Sequence, residues 1–261
     1  MDLGLRGKRA LVLGASRGLG LAIARCLAAE GAIVTLCGRN RDALTQAVGD
    51  LMGGGAEADF LQLDLADPVQ RRSALDNLLA DGRGYDILIN NGGGPAPGAV
   101  GSVATEQWHA AFDSMVTALF EVTARLLPGM RERGWGRVIN LVSSGVVQPI
   151  PNLGVSNALR ASIIGWAKTL AAEVAGDGVT VNSVIPGRIA TARVGELDEA
   201  AAKRSGSTSE AIAKASRASI PMGRYGEPEE FADAVAFLAS IRAGYITGTS
   251  LRVDGGLIRS I

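Results

Sequence analysis

The chain has 261 residues, 47% of them hydrophobic and 20% charged, with 26 lysines and arginines matched by 26 aspartates and glutamates. A neutral chain of this composition has no electrostatic bias toward nucleic acid or anionic membranes, and its length suits one domain over residues 1–261. No stretch is long and uncharged enough to cross a bilayer, and Met1-Asp2-Leu3-Gly4-Leu5-Arg6 has no apolar signal core, so the expected location is cytoplasmic.

The first element is a strand over the apolar run Ala10 to Leu13. It turns through Gly14-Ala15-Ser16-Arg17-Gly18-Leu19-Gly20 into a helix, in which Leu19, Ala22, Ile23, Cys26 and Leu27 recur on one face. Glu30-Gly31 stops that helix. Further strands at about 32–37, 57–63, 85–90, 136–142, 179–184 and 250–253 alternate with helices at about 41–52, 68–81, 105–133, 155–175 and 227–240. Ile87-Leu88-Ile89 is continuously apolar, the mark of a strand covered on both faces. The alternation predicts an α/β fold: a Rossmann-type, doubly wound parallel sheet of about seven strands, with its ligand crevice at the strands' carboxyl ends.

One segment, about 186–221, breaks the beat. Within it Ser207 and Glu210 read as a capping box opening a short helix through about Arg217. A long insertion at the ligand end of such a sheet predicts a lid. Cys26 and Cys37 have neither metal-motif nor redox-pair spacing and are expected as two buried thiols, and no metal site is predicted.

The glycine-rich turn lacks side chains where a pyrophosphate would approach backbone N–H groups at the positive end of a helix dipole. An acidic residue some 20 positions later would hold an unmodified ribose, but the second strand ends Leu36-Cys37-Gly38-Arg39-Asn40. Arg39 there, and Arg17 inside the turn, suit a 2′-phosphate, because guanidinium pairs bidentately with phosphate oxygens. The turn therefore predicts NADP(H) in preference to NAD(H).

Taken together, Gly14-x-x-x-Gly18-x-Gly20, Asp64, Asn90-Asn91-Gly92-Gly93, Ser143-Ser144, Pro186-Gly187 and Val253-Asp254-Gly255-Gly256 resemble the short-chain dehydrogenase/reductases. The resemblance runs from about Leu5 to Leu257 and is strongest to 3-oxoacyl-acyl-carrier-protein reductase-like members. It implies an NADP-dependent oxidoreductase acting on a small-molecule carbonyl substrate. By the same resemblance Gly14, Ser16, Arg17, Gly18, Leu19 and Gly20 form the phosphate turn, and Asp64 and Leu65 flank the adenine. Asn91 supports the cofactor ribose region, Ile189 and Thr191 meet the nicotinamide carboxamide, and Gly92, Gly93, Pro186 and Gly187 are further cofactor-binding positions. The long helices beginning near Thr105 and Val155 resemble the family's dimer-forming pair and imply a homodimer or homotetramer.

The family's proton chemistry rests on a tyrosine and a lysine four residues apart, with an asparagine on the preceding long helix. In this chain Ser156, Arg160 and Met115 fall at those three positions, and the remaining tyrosines, Tyr85, Tyr225 and Tyr245, belong to other segments. A phenol of pKa about 10 can be tuned into a general acid, whereas a serine hydroxyl is far weaker and guanidinium does not release its proton. Ser144, Ser156 and Arg160 are the candidate catalytic residues, with Arg160 also retaining the charge to donate to ribose hydroxyls. Two readings follow. One is an oxidoreductase whose proton comes from water held by Ser144 and Ser156; the other is a catalytically silent NADP(H)-binding sensor or partner subunit. His109, the single histidine, is expected at the surface, and Lys168 at a helix edge.

Overall fold

The computed structural model describes residues 1–82 and 84–260. Seven strands form one sheet: β1 (Arg9–Val12), β2 (Ile33–Gly38), β3 (Ala58–Gln62), β4 (Ile87–Asn90), β5 (Gly136–Leu141), β6 (Val179–Pro186) and β7 (Ser250–Val253). All neighbours are parallel in the order β3-β2-β1-β4-β5-β6-β7, with Val12 registered against Leu36 on one side and Ile89 on the other. The chain winds outward through β2 and β3, then returns to the middle and winds the other way from β4. This is the predicted doubly wound α/β fold, and it opens a crevice where the order reverses, beyond the ends of β1 and β4.

Among the described residues nine α-helices join and cover the strands. They are α1 (Gly18–Ala29), α2 (Arg41–Gly53), α3 (Pro68–Leu79), α4 (Thr105–Phe112), α5 (Ala118–Glu132), α6 (Gly154–Val174), α7 (Ala192–Ser205), α8 (Ser209–Ser219) and α9 (Pro228–Ala239). On one face of the sheet Ile23 of α1, Leu44 of α2 and Phe231 of α9 pack with Val12, Leu36 and Ile89. On the other, Leu75 of α3, Val122 of α5 and Ile163 of α6 pack with Leu11, Leu88 and Val138. Alternate residues of each central strand thus serve opposite cores, which is why their sequences are apolar without alternation. Each such side chain removed from water contributes roughly 1.5–3 kcal/mol, so the strand ends that carry the crevice sit on a rigid base. Buried amides tighten those ends: Asn90 Nδ2 donates to Asn140 Oδ1 at 2.9 Å and to Thr123 Oγ1 at 3.0 Å, linking β4, β5 and α5.

Four expectations need correction. The helix anticipated over 105–133 is broken by a π turn at Asp113–Thr117, which separates α4 from α5. Ser114 Oγ donates to the Ala110 carbonyl oxygen at 2.9 Å, competing for a helical acceptor, while Asp113 is held by Arg71. The segment 186–221 contains two helices where one was expected. The first of them, α7, gives little apolar periodicity because alanines and charges fill it. The predicted Ser207 cap is replaced by Thr208, whose Oγ1 accepts from Ala211 N. Ser207 is already engaged in ending α7, its N–H donating to the Ala202 carbonyl after Gly206 at φ +65°. Cys37 is buried as expected, but Cys26 is only half-buried and donates to Asp233 Oδ1 at 3.4 Å. Among the described residues no helix is long and apolar enough to cross a membrane.

Candidate active site

The crevice at the reversal of strand order has a volume of about 1630 Å³, more than a single drug-sized ligand needs. Every candidate site residue from the sequence except Gly20 lines it. Gly20 lies beneath: a Cβ there would come within 2.3 Å of the Gly14 carbonyl oxygen and 2.8 Å of Asn91 Nδ2, so its missing side chain lets β1 and α1 approach. Gly18, at φ +59°, faces open space with Thr191 Cγ2 3.9 Å from where its Cβ would be. One glycine is needed for packing and the other keeps the gap clear.

The N-terminus of α1 has no side-chain cap and no acidic residue in its first turn, so its N–H groups and positive dipole end are unanswered by the protein. Arg17, Ser16 and Arg39 stand around it on the crevice wall. Asn91 Nδ2 donates to the Gly14 carbonyl at 3.3 Å, tying the loop after β4 to the glycine turn. An uncapped helix N-terminus with Arg17 and Arg39 on the wall beside it is a cradle suited to an anionic ligand. Further along the wall, Asp64 Oδ1 accepts from Ala66 N at 3.0 Å and shapes the turn that presents Leu65. The fully buried Arg71 fixes that turn from below, donating to the Leu65 carbonyl and bidentately to Asp113 at 3.1 Å.

Ser144, just beyond β5, and Ser156, in the first turn of α6, are both buried to 8% exposure and line the crevice. Among the described residues neither hydroxyl has a protein hydrogen-bond partner, so both are free to bind ligand or water. Met115, brought to the wall by the π turn, offers no hydrogen-bonding group. Arg160, one turn after Ser156, is half-buried and spends its donors on main chain: Nη1 on the Leu141 carbonyl at 2.9 Å, Nη2 on those of Gly92 and Gly93 at 3.3 Å each. Burial, and then the positive charge of Arg193, pull its pKa down from the usual arginine range to about 10, still far above neutrality, so it remains a cation.

At the end of β6 Gly187 allows a close approach, since a Cβ would lie 2.6 Å from Asp254 Cα. Ile189 and Thr191 lead from there into α7, which presents Arg193, Glu196, Leu197, Ala200, Ala201 and Arg204 to the crevice at helical spacing. Arg193 reaches across, Nη1 to Glu196 Oε2 at 3.1 Å and Nη2 to the Pro95 carbonyl at 3.1 Å. Glu196 also lies 3.7 Å from Arg17, an exposed pair that binding of an anion would outcompete. The buried Asp198 anchors α7 from behind, accepting from Arg188 at 3.0 Å and from the Tyr225 hydroxyl at 2.7 Å. Sequence reasoning missed this helix, yet Arg193, Leu197, Ala200 and Arg204 recur at intervals of three and four. His109 and Lys168 are exposed, with Lys168 Nζ on the Gly248 carbonyl at 3.1 Å.

Fold and crevice define a doubly wound α/β protein of the nucleotide-binding type. A family model described as enoyl-(acyl carrier protein) reductase matches residues 14–258. The chain is 37% identical to 3-oxoacyl-[acyl-carrier-protein] reductase of Vibrio cholerae, over 98% of this chain and 99% of that protein. It is 35% identical to a putative ketoacyl reductase of Streptomyces coelicolor, over 95% of this chain and 96% of that one. The crystal structure of L-sorbose reductase from Gluconobacter frateurii, complexed with NADPH and L-sorbose, superposes with a TM-score of 0.94 at 33% identity, covering 100% of both chains. The chain belongs to the short-chain dehydrogenase/reductase family. The oxidoreductase class anticipated from the sequence is the class of these relatives.

Proposed function

We propose that this chain is an NADP(H)-dependent oxidoreductase that reduces a ketone, of the 3-oxoacyl-thioester type, with its proton supplied through two serine hydroxyls. The cofactor reading is supported by the uncapped α1 N-terminus between Arg17 and Arg39 and by the NADPH in the sorbose reductase complex. When bound, NADPH supplies the hydride that the carbonyl carbon accepts. The observation that carries the reading is the pair of unpartnered hydroxyls, Ser144 and Ser156, on one crevice wall. Ser144 donates to the carbonyl oxygen and polarises it. A water held by Ser144 and Ser156 gives the oxygen its proton and regains one from solvent.

The loss of a positioned phenol costs about 10²–10⁴ in rate, while orienting the reactants still contributes about 7–11 kcal/mol, so turnover is slow but real. Arg160 holds the wall for Ser156 and the loop at Gly92 and Gly93, and its charge favours a developing alkoxide. The segment 186–221, with α7 on the crevice wall, acts as a lid within a single domain. The chain assembles as a homodimer or homotetramer through the long helices α4–α5 and α6, which resemble the family's dimer-forming pair.

The test is NADPH-dependent turnover of a ketone panel by the parent, Ser144→Ala and Ser156→Ala chains. A loss of at least tenfold in both variants is expected; unchanged turnover in Ser144→Ala removes Ser144 from the mechanism. The engagement of Arg160 with main-chain carbonyls favours a second reading, a silent NADP(H)-binding sensor or partner subunit. It predicts tight NADPH binding with no turnover on any ketone.

A further inference from the structure

We infer that the substrate of this site carries an anionic group, a carboxylate or a phosphate, remote from its carbonyl and held by Arg204 and Arg259. The inference rests on the ketone-reductase reading and adds the substrate's charge to it. The whole chain is neutral, yet among the described residues the crevice is lined by seven arginines and only two carboxylates, Asp64 and Glu196. Five of the seven have work assigned. Arg17 and Arg39 flank the cofactor cradle, and Arg160 is engaged with three carbonyls. Arg188 is paired with the buried Asp198, and Arg193 with Glu196.

Arg204 and Arg259 remain. Among the described residues neither has a carboxylate partner, and Arg204 makes only a 3.5 Å contact with the Ala200 carbonyl of its own helix. Arg204 sits eight residues beyond Glu196, which lies 3.7 Å from Arg17, so it is about 12 Å further along α7 from the glycine turn at 1.5 Å per residue. The C-terminal segment bearing Arg259 folds against the turn after α8: a Cβ on Gly255 would lie 3.0 Å from Ile220 Cγ2, and one on Gly256 3.1 Å from Pro221 Cγ. Ser260, next to Arg259 in the chain, also lines the crevice and adds a hydroxyl donor, while the Ser219 hydroxyl is spent on the Ser216 carbonyl at 2.7 Å. Two exposed guanidiniums without a carboxylate partner among the described residues, lining a crevice with few compensating acids, concentrate positive potential where a substrate tail would leave the reaction centre.

The experiment pairs oxo acids of increasing chain length with their methyl esters, and dihydroxyacetone phosphate with dihydroxyacetone, as NADPH-dependent substrates. We expect kcat/KM at least tenfold higher for the anionic partner of one series, carried mainly by KM and weakened by salt; which series responds separates carboxylate from phosphate. In Arg204→Gln/Arg259→Gln the anionic-to-neutral ratio falls toward one, while Arg72→Gln, on α3 outside the crevice, keeps the parental ratio. Absence of any anionic preference, or a ratio unchanged in the double variant, overturns the inference. If no ketone is turned over, the reductase reading fails separately, and glutarate and glycerol phosphate titrated into the NADPH-loaded protein by calorimetry decide the subsite. Saturable binding lost in the double variant supports it, and no binding overturns it.

Discussion

Arg160 Nη1 donates to the Leu141 carbonyl oxygen at 2.9 Å, fastening α6 to the end of β5, while its Nη2 holds the Gly92 and Gly93 carbonyls. One guanidinium therefore joins three segments of the crevice wall, a task for which a planar fork of donors is suited and a single ammonium is not.

Arg160→Met leaves those carbonyls without their donor and is expected to cost about 1–3 kcal/mol of stability and to weaken NADPH binding. Arg160→Lys should recover only part of both. The pH dependence follows from the lowered pKa of about 10. Between about pH 10 and the usual arginine pKa the unfolded chain binds more protons than the folded one, so the cost of burying the charge is constant below pH 10 and is relieved only as pH rises through that window. Urea unfolding of parent and Arg160→Met at pH 6 and pH 9 should therefore give the same difference at both. A difference that changes between them contradicts a permanently charged Arg160.

Two glycines of the same turn should fail differently. Gly20→Ala forces a methyl to within 2.3 Å of the Gly14 carbonyl oxygen, with an expected loss of about 2–3 kcal/mol and a lower Tm. Gly18→Ala has room on the protein side but strains a residue at φ +59°, costing about 1 kcal/mol, and it projects into the phosphate gap. Thermal melts combined with NADPH titrations should show the larger stability loss in Gly20→Ala and the larger binding loss per unit of stability in Gly18→Ala.

Discrimination between the two pyridine coenzymes should reside in Arg39 and Arg17. Removing a charge-assisted hydrogen bond costs about 1.5–3 kcal/mol, so Arg39→Leu should weaken NADPH binding by about tenfold or more and leave NADH nearly unaffected. Fluorescence titrations with both coenzymes read this directly. An equal loss for both would place Arg39 away from the 2′-phosphate.

Both thiols are pushed up to about 12, Cys37 by burial and Cys26 by burial and then by its hydrogen bond to Asp233. At pH 8 about one thiol in 10⁴ would be ionised, too few for ready alkylation. Neither cysteine should react with a thiol reagent in the folded protein, and both should react at once in urea. Fast labelling of Cys26 in the folded state would contradict the Asp233 contact.

The sheet, its order and the glycine turn were legible because they rest on local pattern: continuous apolar strands such as Ile87-Leu88-Ile89, and glycines spaced for a helix start. The crevice residues were legible for the same reason, since they follow strand ends at fixed places in the chain. The π turn was not, because it depends on Arg71, 42 residues from Asp113, and on which carbonyl Ser114 chooses. The helix α7 was hidden by composition: Glu199-Ala200-Ala201-Ala202-Lys203 carries little apolar periodicity, and its anchor, the buried Asp198, depends on Tyr225 from a distant segment. Nor could spacing show that Arg160 would turn its donors to Leu141, Gly92 and Gly93, since those carbonyls meet it only through the tertiary fold.

The most direct test of the central claim is NADPH oxidation with a ketone panel, run on the parent chain and on Ser156→Tyr/Arg160→Lys. The parent should turn over at least one ketone slowly, with the rate lost in Ser144→Ala. No parental turnover on any ketone, with NADPH bound and a large activity gained only by the double variant, would contradict the claim that the two serines serve catalysis here.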